Sequence, residues 1–140
     1  ASIYMKSLIR RPILYAAEAM VNIKEADYRA LESIEESVLI NVFQTKISCP
    51  RNILYLEAGI IPARYQIQRK VLVFLQYILQ QPSNSLMKRM FDVLISHPTK
   101  GDWTSHSLEL VERFKLNLTL KEIQDMNPGS FKKLVRTKMT

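Results

Sequence analysis

Apolar residues recur at intervals of three and four along nearly the whole chain, and prolines divide this pattern into segments. That interval is the period of an α-helix with one buried face, whereas a half-buried strand alternates at every second residue. The 140 residues include only 3 glycines, so few positions suit the left-handed turns of β-hairpins. The sequence therefore predicts an all-α protein, an irregular multi-helix bundle about one domain long.

Prolines, a glycine and capping residues set the bounds of the predicted helices. Pro62 suits a first helical position, and Gly59 is typical of a left-handed C-cap. Thr119 and Glu122 have the spacing of a capping box. The pattern predicts helices over residues 12–21, 25–43, 50–58, 62–81, 85–96 and 103–114, then a short helix after Thr119 and a last one from Pro128.

The helix predicted over residues 25–43 has one apolar stripe, which we expect to be buried. Its members step by three and four residues: Tyr28, Leu31, Ile34, Val38 and Val42. Three glutamates fall mainly on the other side, where a solvated face is the usual role of such a group: Glu32, Glu35 and Glu36. Further along, the short spacing of the last three helices predicts a small C-terminal helical subdomain, so the predicted domains are residues 1–98 and 99–140.

The net charge of +7 arises entirely from residues 61–140, which carry 13 Lys and Arg against 6 Asp and Glu. An excess of this kind suits a polyanionic partner, although a soluble basic surface is an equally good interpretation of charge alone. Long cations on a rigid helix can contact phosphates. The candidate nucleic-acid-binding residues lie at the start of the helix from Pro62 and on the last helix: Arg64, Arg69, Lys70, Lys132, Lys133, Arg136 and Lys138.

The sequence offers no pattern for a catalytic or metal site. Cys49 is the single cysteine, which rules out an internal disulfide and a cysteine-rich zinc site. His97 and His106 are too few for a metal site, and no Gly-rich phosphate loop or nucleophile elbow occurs. We therefore expect no enzyme activity from this chain alone, no cofactor and no small-molecule substrate. No apolar run approaches the roughly 20 residues of a membrane span, so no membrane partner is expected.

Four segments carry a family resemblance. The longest spans residues 54–79, with Leu-Tyr-Leu-Glu at its start, then Gly59, Pro62-Ala-Arg64 and a closing Phe-Leu-Gln-Tyr-Ile-Leu. Residues 13–20 read Ile-Leu-Tyr-Ala-Ala-Glu-Ala-Met, and residues 31–35 read Leu-Glu-Ser-Ile-Glu. Residues 98–103 read Pro-Thr-Lys-Gly-Asp-Trp. In order and spacing these segments resemble the thumb and the region after it in reverse transcriptases of non-LTR (LINE-type) retrotransposons.

The resemblance implies a thumb and linker fragment of an RNA-directed DNA polymerase, without the catalytic palm and the endonuclease. Its expected role is to grip RNA or an RNA/DNA duplex through backbone phosphates, beside the upstream palm of the full-length protein. The alternative is a helical protein-interaction or structural domain with no nucleic-acid role, such as an inactive relic of an element. The resemblance leaves the compartment open between nucleus and cytoplasm.

Overall fold

The computed structural model describes residues 10–19, 23–46 and 48–139, and it confirms the predicted all-α class. The described residues contain no strand. The helices are α1 (Arg10–Leu14), α2 (Glu25–Phe43), α3 (Arg51–Ala58), α4 (Ala63–Leu79), α5 (Leu86–Ser96), α6 (Trp103–Arg113), α7 (Leu120–Asp125) and α8 (Pro128–Met139). None of these helices is long and apolar enough to cross a membrane.

The chain forms two compact units that divide within α4. Of the described residues, the first contains 10–17, 23–46 and 48–67, and the second contains 18–19 and 68–139. The predicted domains, residues 1–98 and 99–140, stay a prediction. The later part of α4, with Val71, Leu72 and Leu75, packs in one apolar cluster with Phe91 of α5 and Phe131 of α8. Buried apolar contacts define a unit more directly than the spacing of its helices.

The prediction of one unbroken helix over residues 12–21 is wrong. Helix α1 ends at Leu14, and a short 3-10 turn follows at Ala17–Ala19. Between them Ala16 adopts a left-handed backbone with φ 51°, which an α-helix cannot contain. The predicted positions Met20 and Val21 lie outside the described residues.

Helix α2 has the predicted bounds but a different buried face. Its buried residues are Tyr28, Glu32, Glu35 and Leu39. The expectation that all three glutamates form a solvated face is therefore wrong for two of them. Of the predicted stripe, Ile34 and Val42 are exposed instead. The helix is rotated from the predicted orientation because Glu32 and Glu35 find cationic and hydrogen-bonding partners inside the unit.

Helix α3 follows the prediction closely. It begins after Pro50 and ends at Gly59, whose φ of 62° and backbone N–H bonds to α3 make it a left-handed C-cap. Leu54 and Tyr55 of α3 pack with Leu39 of α2 in a small buried cluster. These contacts bring the two helices together within the first unit.

The second unit has the larger core. Its buried members lie on five helices and on the segment between α6 and α7: Val71, Leu72, Leu75, Ile78, Leu79, Phe91, Leu110, Leu116, Ile123, Phe131 and Val135. Trp103 packs its ring edge against Phe74 at 5.6 Å, and its Nε1 donates to the carbonyl oxygen of Glu18 at 2.7 Å. Trp103 therefore packs against α4, within the second unit.

A buried glutamine joins α4 to the end of α7. The Gln76 Nε2 donates to the carbonyl oxygens of Ile123 at 3.0 Å and Met126 at 2.9 Å. Gln80, one turn later, donates to the Met126 carbonyl as well. These bonds satisfy carbonyl groups that the end of a helix leaves without intrahelical partners. The position of α7, and with it the start of α8, is thereby tied to α4.

Side-chain caps begin three helices of the second unit. Ser85 accepts from the backbone N–H of Lys88 at the start of α5, and Asp102 accepts from Ser105 N–H at 2.7 Å at the start of α6. The hydrogen bond from Ser105 lowers the pKa of the Asp102 carboxyl, because it favours the ionised form. Thr119 and Glu122 form the predicted capping box of α7.

Candidate nucleic-acid interface

Helix α8 presents the densest group of exposed cations among the candidate residues. Its start is set by Asn127, whose Oδ1 accepts from the Gly129 N–H at 2.9 Å, and by Pro128 at the first helical position. Phe131 and Val135 bury one face of the helix in the core of the second unit. The basic residues are exposed: Lys132, Lys133, Arg136 and Lys138.

The spacing of these cations places three of them on one face. At about 100° per residue, Lys132, Lys133 and Arg136 fall within about 100° of arc, on the side away from Phe131. Lys138 lies on the last turn, nearer the buried side. No acidic residue occurs between Pro128 and Met139. We call Lys132, Lys133 and Arg136 the basic face of α8, a rigid row of long cations that suits contact with successive phosphates.

Arg64, the candidate at the start of α4, is instead held by carboxylates. Its guanidinium donates two hydrogen bonds to Glu25, Nη2 to Oε1 at 2.7 Å and Nη1 to Oε2 at 3.1 Å. Its Nε donates to Glu32 Oε1 at 2.9 Å. The same guanidinium lies over the Tyr28 ring, with 5.1 Å between the guanidinium carbon and the ring centroid. Arg64 therefore directs its donors into the first unit.

The environment of Arg64 favours its charged form. Partial burial alone would lower the pKa of the guanidinium, but hydrogen bonds to Glu25 and the charge of Glu32 raise it above the usual value. In turn, the Arg64 hydrogen bonds lower the pKa of the Glu25 carboxyl. Such paired, hydrogen-bonded charges are typical of a structural ion-pair network.

A second arginine and a buried carboxylate extend this network. Arg51 of α3 contacts Glu32 at 3.4 Å and also pairs with Glu36. Glu35 is fully buried and accepts hydrogen bonds from the Tyr55 hydroxyl and from the Ala63 N–H, each at 2.9 Å. The second of these bonds lies at the N-terminus of α4, where a carboxylate is favoured by the unpaired N–H groups.

The Tyr55 hydroxyl, which donates to this carboxylate, has a raised pKa. Burial raises the pKa of its hydroxyl, and the negative charge of Glu35 raises it further, because both disfavour the phenolate. Tyr55 therefore serves as a neutral donor that satisfies a buried acceptor. We name the set Glu25, Glu32, Glu35, Glu36, Arg51, Tyr55 and Arg64 the carboxylate network of the first unit.

The other two candidates on α4 are less exposed than those on α8. Arg69 is half-buried, and Lys70 is half-buried with its ammonium 3.5 Å from Glu18 Oε2. The predicted residues thus lie in two places along the chain, on α4 and on α8. Only the members on α8 are all exposed.

The carboxylate network was missed at the level of sequence, although a signal was present. Glu25, Tyr28, Glu32, Glu35 and Leu39 recur at three- and four-residue steps, which is one face of a helix. Glutamates within a helical stripe that also contains buried apolar residues indicate a paired, inward-facing role when arginines lie elsewhere in the chain. Among the described residues, no group of three or more His, Cys, Asp or Glu is arranged to hold a metal ion.

Comparison with known proteins gave no match to a protein-family model, to a curated protein or to a solved structure.

Proposed function

We propose that this chain is a non-catalytic, nucleic-acid-binding part of a retroelement reverse transcriptase, and that it contacts backbone phosphates through the basic face of α8. The observation that carries the proposal is the row Lys132, Lys133 and Arg136, which is exposed on a helix without a carboxylate. The resemblance to a thumb and linker region supports the same role. RNA or an RNA/DNA duplex is the proposed ligand, beside the upstream polymerase palm of a full-length protein.

The chemistry of the basic face favours contact with phosphates over recognition of bases. Base stacking needs an accessible aromatic ring, and the one aromatic residue of α8, Phe131, is fully buried. Two of the three cations are lysines, which act as point charges toward phosphates and do not offer the planar fork of arginine. Binding should therefore depend strongly on salt and weakly on sequence.

The carboxylate contacts of some candidate cations support a smaller set of proposed phosphate-binding residues. Arg64 already donates to two carboxylates, so a phosphate would have to displace hydrogen bonds of 2.7 and 2.9 Å. Lys70 has a carboxylate neighbour in Glu18. Exposed lysines such as Lys132 and Lys133 can reach phosphates at a lower cost in broken contacts. We therefore place the main phosphate contacts on α8 and give Arg64 a structural role.

The test is binding of the full chain to a short labelled RNA/DNA hybrid duplex, followed by fluorescence anisotropy between about 50 and 200 mM salt. The variant Lys132→Ala/Lys133→Ala should weaken binding and lower the slope of log K against log salt by roughly 1.5 to 2, because each lysine contributes about one phosphate contact. Both side chains are exposed, so the fold should be unaffected.

The matched control is Lys46→Ala/Lys100→Ala. It removes the same charge from two exposed positions outside the helices. Binding by this control should keep the wild-type salt slope. An equal loss in both variants would refute the role of α8, because it would reflect net charge only. Negligible binding of the wild-type chain at low salt would refute the proposed function and favour a protein-interaction or structural domain.

A further inference from the structure

Helix α5 is apolar on most of its circumference, but only one side of it is packed. Phe91 is buried in the core of the second unit, and Ile95 packs against that core. The opposite side exposes Leu86 by 72%, Met90 by 57% and Val93 by 60%, with Met87 beside them at 40%. These four residues define what we call the α5 stripe.

The exposed side chains of the α5 stripe form one continuous face. At about 100° per residue, Leu86, Met90 and Val93 fall within about 60° of arc. This is the four-then-three spacing by which one helix presents a seam to another. Together the four side chains expose on the order of 400 Å² of apolar surface, comparable with the largest patch on a typical monomer, which is often functional. Two of the four are methionines, whose flexible side chains adapt well to a partner surface.

Charge at the edge of the stripe indicates the chemistry of the partner. Arg89 is exposed and lies about 40° of arc from Val93. Lys88, unlike Arg89, contacts other residues of α5: its ammonium lies 3.4 Å from the Asp92 carboxylate and 5.6 Å from the centroid of the Phe91 ring. The second unit as a whole carries 12 Lys and Arg against 7 Asp and Glu, a net charge of +5. Acidic residues flanking an apolar seam would complement this surface.

We propose that the α5 stripe is the docking site for an amphipathic helix of another protein, with aliphatic residues on its apolar face and carboxylates along its flank. Leu86, Met90 and Val93 would pack against the aliphatic residues. Arg89 would pair with a flanking Glu or Asp. This is recognition of one helix face by another helix, in which apolar anchors give affinity and flanking charges give orientation.

A second copy of this chain fits the stripe poorly. Each copy carries a net charge of +7, so two copies repel each other. An antiparallel pair centred on Met90 would also bring the two Arg89 side chains to the same edge of the seam.

An anionic membrane surface also fits less well than a helix. Asp92 lies on the same flank as Arg89 and its side chain is 57% exposed, so it would face the headgroups with a like charge. A discrete partner can place its carboxylates against Arg89 and away from Asp92, whereas a membrane cannot. The observations therefore favour a folded or folding helix as the occupant.

The test uses the full chain and a labelled synthetic peptide, designed as a helix with leucines at three- and four-residue spacing and glutamates at the flanking positions. Fluorescence anisotropy should show saturable binding, and Met90→Ser should weaken it by about fivefold or more, since a buried anchor is lost. A peptide with lysines in place of the glutamates should bind about tenfold more weakly.

Two matched variants distinguish the α5 stripe from the chain's remaining apolar and basic surface. Leu56→Ser removes a leucine that is 78% exposed on α3, and it should leave the peptide affinity within about twofold of wild type. Lys132→Ala/Lys133→Ala should also leave it within about twofold, because those charges lie on α8. A loss with the lysine variant equal to that with Met90→Ser would overturn the proposal, since binding would then be general attraction to cations.

Two further outcomes would overturn it. The first is equal affinity for the acidic and the basic peptide. The second is self-association in sedimentation, or binding to vesicles of anionic phospholipid, that depends on Met90 while the acidic peptide does not bind. Peptide binding that requires Met90 and the glutamates of the peptide, but not Leu56, would support the docking site, whether or not the chain binds nucleic acid.

Discussion

Replacing Arg64 with alanine tests whether this arginine is a structural residue or a phosphate ligand. The substitution removes four hydrogen bonds, two to Glu25 and two to Glu32, as well as the stacking on Tyr28. Glu32 is the critical partner, because its side chain is only 9% exposed. A carboxylate at that depth loses most of its hydration, so loss of its best cation should destabilise the folded chain.

The expected loss in the free energy of unfolding depends on which cations remain near Glu32 after the substitution. Breaking a fully buried ion pair costs about 3 to 5 kcal/mol. Here Arg51 still lies 3.4 Å from Glu32, which offsets part of the loss. We therefore expect Arg64→Ala to lower the free energy of unfolding by roughly 2 to 4 kcal/mol. That is a large fraction of the about 5 to 15 kcal/mol of a typical domain.

Urea unfolding followed by far-UV circular dichroism measures this loss as a lower midpoint at an unchanged m-value. Lys133→Ala is the control, since it removes the same charge from an exposed position and should shift stability by less than about 0.5 kcal/mol. If Arg64→Ala were as stable as the control while its affinity for the hybrid duplex fell, the structural assignment of Arg64 would be refuted and its role as a phosphate ligand supported.

Three other substitutions test further contacts. Tyr55→Phe should cost about 1.5 to 3 kcal/mol in urea unfolding at neutral pH, because Glu35 loses a buried donor. The raised pKa of Tyr55 also makes wild-type stability fall as the pH rises above 10.0, by at most about 1.4 kcal/mol per unit, since only the unfolded chain releases that proton. The phenylalanine variant should lack this slope, and an equal slope in both proteins would contradict the assignment. Gln76→Ala should cost roughly 2 to 3 kcal/mol in urea unfolding by leaving two carbonyls without their donor, whereas a change below about 0.5 kcal/mol would show those bonds to be unimportant. Gly59→Ala should lower stability by about 1 to 2 kcal/mol in thermal unfolding. The cause would be backbone strain at φ 62° and not a clash, because the added methyl group would lie in open space. An unchanged midpoint would argue against the left-handed cap.

Most helix bounds could be predicted because they depend on local chemistry. Pro50, Gly59, Asp102 and the Thr119–Glu122 box act within one turn of themselves, so a single sequence contains the information. The break at Ala16 could not be predicted in this way. Alanine favours the helix interior, so the residue type gives no sign of the left-handed conformation at this position.

The inward face of α2 was not predictable from hydrophobicity. A glutamate counts as polar wherever it lies, and only a partner distant in sequence reveals that it is buried. Arg64 is 32 residues from Glu32, and Ala63 is 28 residues from Glu35. Local periodicity therefore predicted that Ile34 and Val42 are buried, but both are exposed. Pairing with residues distant in sequence holds this face inward, and hydrophobic periodicity alone does not reveal it.

The partners of the candidate binding residues are also distant in sequence, so local sequence does not show which cations are paired. Their contacts show how the net charge should be interpreted. Arg64 and Lys133 are both long cations, and both stand in helices with other cations nearby. Arg64 donates to carboxylates of α2, whereas Lys133 is exposed on a helix that contains no acidic residue. An excess of basic residues thus predicts a polyanion partner only after the cations held by internal carboxylates are set aside. What remains in this chain is concentrated in the second unit, which is why α8 and not α4 is the place to test for binding.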